Sequence, residues 1–330
     1  NRGGYKPNFL SGFHIPLPAL TDEQQQNAAR NKEAEDGDDP FELKYHHFSI
    51  VMNAARRLAY FTACNINGRT AKFVNRKTGA VRPATPDDVG SESLSEAAEA
   101  SDTWYRDHRI EEDQYAGKAI YERQVVPGFP NNNNDRNQRM FQRGHLVRRM
   151  DPAWGSDQRA LDADADTFHW TNCSPQVGFF NQGKASPDTP NSGQGKLWRA
   201  VENYVLRSAI AEDLRVLSFT GPVFADDDRP FRGIQVPGRF WKITVWAEAG
   251  ELRAVALIAD QRPVIEVWPE SLESLPESFL DPGELERVQD FLTTVADIEA
   301  LTQLDFGEDI RNADVIAGEA TRRITRPAEI

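Results

Sequence analysis

Gln142-Arg-Gly-His-Leu-Val-Arg-Arg-Met-Asp151 is the stretch on which the reading of this chain turns. It places one histidine directly after a glycine, among Arg143, Arg148 and Arg149. Imidazole, with a reference pKa of about 6.5, accepts a proton near neutral pH, and a guanidinium can hold phosphate oxygens bidentately. The segment is therefore a candidate phosphate-handling site. Taken alone, a histidine in a basic loop is more often structural than catalytic, so the surroundings have to decide.

Charge is the first of those surroundings. The 330 residues carry 38 Lys and Arg against 51 Asp and Glu, a formal net charge of -13, which argues against indiscriminate polyanion binding by the whole surface. The balance is uneven along the chain. Between Arg136 and Arg207 ten basic residues face seven acidic ones, a local +3, whereas Glu270 to Ile330 holds fifteen acids and five arginines, a local -10. A basic middle inside an acidic protein suits one anion-binding cleft on an otherwise repelling surface. Mean hydropathy is -0.61, and no run of about 18 apolar residues exists to span a membrane. Two cysteines, Cys64 and Cys173, are too few for a disulfide framework or a thiolate zinc site. Opening at Asn1, the chain reads as a processed form or an excised piece, and cytoplasm is favoured over secretion or the periplasm.

Residues 1–40 carry scattered prolines and the acidic run Glu33 to Asp39, and read as a wrapping arm or linker rather than a core element. His47 to Asn53 and Leu58 to Ile66 are rich in β-branched and aromatic residues and predict a hairpin across Ala54 to Arg57. Phe168 to Cys173 predicts a short strand, and Leu197 to Leu214 a helix from its apolar spacing. Leu214 to Phe219, Phe240 to Trp246 and Leu252 to Ala259 predict strands punctuated by Gly221-Pro222, Pro237-Gly238 and Gly250. Leu285 to Thr302 predicts a helix that ends the ordered part. One α+β domain follows, with a central antiparallel sheet flanked by helices. Its divisions are an arm over 1–40, a main domain over 41–306 and a tail over 307–330.

Downstream of the opening segment come Thr167-Phe-His-Trp-Thr-Asn-Cys-Ser-Pro-Gln176, Phe179-Phe-Asn-Gln-Gly183 and Lys196-Leu-Trp-Arg-Ala-Val-Glu202. Arg-Gly-His followed in order by Thr-Asn-x-x-Pro-Gln, Phe-Asn-Gln-Gly and Trp-x-x-x-Glu resembles the DNA/RNA non-specific endonucleases of the ββα-metal class. That class includes endonuclease G and secreted bacterial sugar-nonspecific nucleases. The similarity extends over most of residues 40 to 306, through the 47–66 hairpin, Trp104 to Asp107, Phe219-Thr-Gly-Pro222 and Val295 to Thr302.

The resemblance implies a ββα-metal fold and a hydrolase that cuts DNA and RNA, leaving 5′-phosphate ends. His145 would be the general base acting on water. Asn181 would be the sole direct protein ligand of a divalent ion, Mg2+ or alternatively Mn2+ or another divalent cation. Glu202 would hold a water of that ion, Asn172 would orient or polarise near His145, and Arg143 would contact phosphate. Arg106, Arg109, Arg148 and Arg149 are further substrate-binding candidates. An oxygen ligand and a mostly hydrated site suit magnesium. Partners implied are DNA and RNA, with a homodimer and a fused or regulatory partner domain also expected and no membrane. The rival expectations are a nucleic-acid-binding module that has lost catalysis and an acidic protein-interaction domain.

Three departures stand out. Gln142 occupies the position where the family has Asp, the stretch Lys184 to Gly195 separates Asn181 from the Trp198 motif, and Asp102 aligns with an active-site Arg that Arg106 or Arg109 would have to replace. His14, His46 and His47 lack any motif and read as structural or exposed, His169 as a packing residue, Trp198 as core and Cys173 as a buried thiol rather than a nucleophile.

Overall fold

The computed structural model describes residues 2–89, 103–124, 140–177, 180–181, 197–262, 265 and 292–317. Arg136, Arg139, Asn131 to Asn134, Asp102, Phe179, the Lys184 to Gly195 stretch, Lys196 and most of the acidic 270–330 segment lie outside the described residues, as does the side chain of Arg199.

The predicted hairpin forms. β1 (Glu42–Lys44), β2 (Phe48–Asn53) and β3 (Leu58–Asn67) lead the chain into a sheet. The β2–β3 pairing shifts register between Val51 and Met52, a bulge that bends the edge. After a small antiparallel hairpin, β4 (Lys72–Asn75) and β5 (Ala80–Pro83), and the pair β6 (Phe141–His145) and β7 (Cys173–Val177), the chain returns to the sheet. It does so with β8 (Arg215–Val223), then makes the β9 (Arg229–Phe231) and β10 (Ile234–Val236) hairpin, and continues through β11 (Arg239–Glu248), β12 (Glu251–Asp260) and β13 (Leu292–Thr293). The order across the seven-stranded sheet is β1-β2-β3-β8-β11-β12-β13, antiparallel throughout. Ala249 and Gly250, both at positive φ, join β11 to β12 in the two-residue turn whose twist matches the strands.

The helices are α1 (Asp22–Asn27), α2 (Lys118–Tyr121), α3 (Asp157–Asp166), α4 (Leu197–Ala211), α5 (Val295–Thr302) and α6 (Glu308–Ala313). Both faces of the sheet are covered. One side packs Leu58, Cys64, Phe240 and Leu257 beneath Trp198, Val201 and Val205 of α4 and the β6–β7 pair. The other packs Phe61, Phe219, Trp241 and Val245 beneath α5, α6 and the N-terminal arm. Side-chain alternation along each strand feeds the two layers in turn.

Several expectations are corrected. The arm wraps the sheet but also supplies core: Tyr5, Leu10 and Ile15 are buried in the second layer. Its scattered prolines and polar residues mask those three anchors. Phe168 to Cys173 is not a strand; Trp170–Asn172 forms a 3-10 turn and β7 begins at Cys173. The apolar run is too short for period to separate the two. Gly221-Pro222 lies inside β8 rather than ending it. A side chain at Gly221 would run into the Tyr60 carbonyl and the Trp241 ring, so glycine here allows close strand approach. Order continues past Thr302, since Ile310 of α6 is buried and Val315 N–H donates to the Ala254 carbonyl. Within the described part of the acidic C-terminal segment, α5 and α6 therefore pack on the face opposite α4, while Leu292 and Val315 reach the core on the α4 side.

Candidate functional site

The β6–β7 pair carries the motif. Its register sets Gln142 opposite Gln176, Arg143 opposite Pro175, Gly144 opposite Ser174 and His145 opposite Cys173. Gly144 is required sterically, because the Gln176 side chain lies across it and any Cβ would collide with that carboxamide. The pair stands outside the main sheet and is tied to it by Gln261. Its carboxamide accepts from Val177 N–H at 2.9 Å and donates to the carbonyls of Pro237 at 2.7 Å and Pro175 at 3.3 Å. Gln124 secures the start of β6 by accepting from Phe141 N–H and donating to its carbonyl.

His145 ends β6 in an aromatic wall. Its ring lies 4.8 Å from Trp104 and 5.0 Å, edge to face, from Phe168. Nε2 is sealed from solvent without a hydrogen-bond partner among the described residues. Burial lowers the His145 pKa to about 3, reinforced by the positive charges of Arg149, Arg76, Arg143 and Arg148. The imidazole is consequently neutral at physiological pH, with a nitrogen available to take a proton.

Asn172 is fully buried and its carboxamide is spent on backbone. Oδ1 accepts from Val147 N–H, and Nδ2 donates to the carbonyls of Val147 and Thr167. Leu146 N–H also donates to the Asn172 carbonyl. Of the two expected roles, orienting or polarising, these bonds suit the first: Asn172 orients the chain leaving His145.

The arginines divide. The Arg143 guanidinium lies 5.7 Å from the Trp104 ring and 6.0 Å from Trp170. Arg149 is held through Nε on Asp164 at 3.0 Å, and Arg148 is buried nearby in sequence. Arg106 and Arg109 are committed elsewhere. Arg106 pairs with Glu112 on the surface, and Arg109 donates twice to Asp107 and once to the Lys44 carbonyl. Despite burial, which pushes the other way, Arg109 helps hold the Asp107 carboxyl down to about 2. Both arginines line a cavity of about 450 Å3 with Arg2, Tyr105 and His169. Beside Arg143, Arg148 and Arg149, a fourth arginine bears on His145, unforeseen from sequence: Arg76 of the β4–β5 turn, more than sixty residues before it.

Asn181 follows β7 and donates through Nδ2 to Gln142 Oε1 at 3.2 Å. Phe180 stacks on Trp198 at 6.1 Å, which docks α4 against this segment. Glu202 lies one turn beyond Trp198 on the same helical face. The oxygens that the sequence points to are the Asn181 amide and the Glu202 carboxylate; the Gln176 carboxamide, opposite Gln142, is buried without hydrogen-bond partners among the described residues. No cluster of three His, Cys, Asp or Glu side chains able to hold a metal occurs among the described residues. Amide and carboxylate oxygens are the donor type that suits a hard cation which keeps most of its water. Cys173 is buried and its thiol pushed up to about 12 by that burial, so it is no nucleophile. His47 stacks on Trp154, and His46 and His169 bind Asp166; all three are structural.

Two antiparallel strands carrying His145, followed by a helix carrying Glu202, form a ββα unit on an α+β frame. A family model for DNA/RNA non-specific endonucleases matches residues 25–313, and the chain belongs to that family. An uncharacterized protein, y4fB of Sinorhizobium fredii (strain NBRC 101917 / NGR234), is 33% identical over 329 residues, 98% of this chain. The chain spans 42% of that protein's length. A chain from a crystal structure of the EndoG/EndoGI complex aligns with 89% of this chain and 94% of its own, at 14% identity and a TM-score of 0.46. Among the described residues no helix is long and apolar enough to cross a membrane.

Proposed function

We propose that this chain is a divalent-metal-dependent endonuclease that hydrolyses phosphodiester bonds of DNA and RNA and leaves 5′-phosphate ends. The observation that carries the reading is His145: neutral, with an unengaged buried Nε2, and surrounded by guanidinium groups. In this reading Nε2 takes the proton of an attacking water. Arg143 and Arg149 hold the phosphate oxygens, and Asn172 fixes the backbone that aims the ring. Asn181 supplies the direct ligand oxygen, and Glu202 orients a water in the ion's shell. When bound, Mg2+ supplies positive charge at the phosphate and the leaving oxygen.

Incubation with plasmid and with RNA, in magnesium or in EDTA, tests this. Cleavage of both substrates only with metal supports it. Retarded migration without cleavage would point to a binding module instead, and neither effect would point to a protein-interaction domain. Homodimerisation and a fused or regulatory partner domain belong to the same proposal, as does the activity of any longer protein in which this chain occurs.

A further inference from the structure

The β4–β5 hairpin docks on α3 through its own small core, Val74 and Val81 against Ala153, Ala160 and Leu161. Lys72 fixes the register by donating from its backbone N–H to the Ala153 carbonyl at 2.7 Å and by pairing with Asp157 at 2.9 Å. Arg76 therefore projects from a braced turn. Its guanidinium carbon sits 3.7 Å from the centre of the Phe168 ring, and that of Arg149 lies 5.7 Å from the same ring. Phe168 in turn meets the His145 ring at 86°. The buried Asp164 carboxylate lies between the two arginines, with Oδ1 3.0 Å from Arg149 Nε and Oδ2 3.6 Å from Arg76 Nε.

We propose that Arg76 and Arg149, held on the Phe168 ring by Asp164, form a phosphate clamp that grips a nucleic-acid phosphodiester beside His145. The clamp rests on the nuclease reading above and adds Arg76 to it. A planar fork stacked on a ring presents its N–H edge in a fixed plane, the geometry that suits a phosphate. Asp164 keeps two like charges together before substrate arrives. Arg149 and Arg76 are also the two strongest charge influences on His145, consistent with their proximity to the ring.

The test is binding of a fluorescent oligonucleotide to the full chain in EDTA, across about 50 to 200 mM salt. Arg76→Ala should bind about tenfold more weakly, and the slope of log K against log salt should shrink by about 0.7 to 0.9, the loss of one phosphate contact. Arg76→Gln keeps the stem over Phe168 and should show the same loss of slope, which decides the matter if the alanine variant is unstable. Arg253→Ala, an equal charge change on β12 away from the site, should bind like wild type. Wild-type affinity and slope in both Arg76 variants would overturn the clamp while leaving the nuclease reading intact. A wild-type chain that neither binds nor cleaves would overturn both.

Discussion

Asn181 Nδ2 donates to Gln142 Oε1 across 3.2 Å, linking the expected metal ligand to a motif position where this chain departs from its family. The bond uses the amide's donor side and so leaves Oδ1 as the atom that can face a cation. A neutral acceptor at position 142 performs this task without a carboxylate, so Gln142 is compatible with an active site.

Gln142→Leu should weaken Mn2+ binding, followed by calorimetry or electron paramagnetic resonance, by about 10-fold or more, the usual cost of losing a residue that orients a ligand. Gln142→Glu, which keeps an acceptor in reach, should retain most of the affinity. Equal affinities for the wild type and Gln142→Leu would show that Asn181 needs no such support.

His145→Ala should lower turnover by about 10²–10⁴-fold while preserving the fold and oligonucleotide binding, since removing a general base leaves phosphate contacts in place. Wild-type cleavage by a folded variant would remove His145 from the mechanism.

Asn181→Ala should cost more metal-dependent activity than Glu202→Gln, because the first removes a direct ligand and the second only a partner of its water. A reversed order in parallel kinetic assays would mean that α4 is aimed differently from the proposal.

Acid should destabilise the fold in a defined window. The His145 pKa is lowered to about 3 and the His47 pKa to about 4, in both cases first by burial. Unfolded imidazoles titrate near 6.5. Below that pH the unfolded chain takes up protons that the folded chain refuses. The stabilisation is thus fully present above about pH 6.5 and falls by about 1.4 kcal/mol per unit for each group until its folded pKa is reached. Urea unfolding at successive pH values should show the decline starting near 6.5, with a shallower slope in His145→Gln. For the same reason, protonation of His145 should not be what limits cleavage between pH 7 and 5.

These properties were unequally legible in the sequence. The β2–β3 hairpin declares itself through its β-branched and aromatic residues and α4 through helical period, which local chemistry controls. His145, Asn181 and Glu202 were legible as candidates because their motifs follow one another in order between Gln142 and Glu202. Arg76 escaped because nothing about a turn Asn75-Arg-Lys-Thr-Gly79 reveals that Val74 and Val81 dock it on α3. Gly221 and Pro222 misled because a glycine that admits a neighbouring strand looks, in sequence, like one that ends its own. Tyr5, Leu10 and Ile15 were invisible for want of any period in an extended arm.

The two glutamines that anchor the β6–β7 pair have a consequence for the working molecule. Gln124 holds the histidine-bearing strand β6, and Gln261 its partner β7, with hydrogen bonds to backbone alone, and amides neither titrate nor exchange counterions. Under the proposed function, a nucleic acid bringing negative charge to His145 would find no ion pair in these two anchors to compete for. Through these two anchors the mounting of His145 is insensitive to salt and to a bound polyanion, because neither amide carries a charge to be screened or displaced.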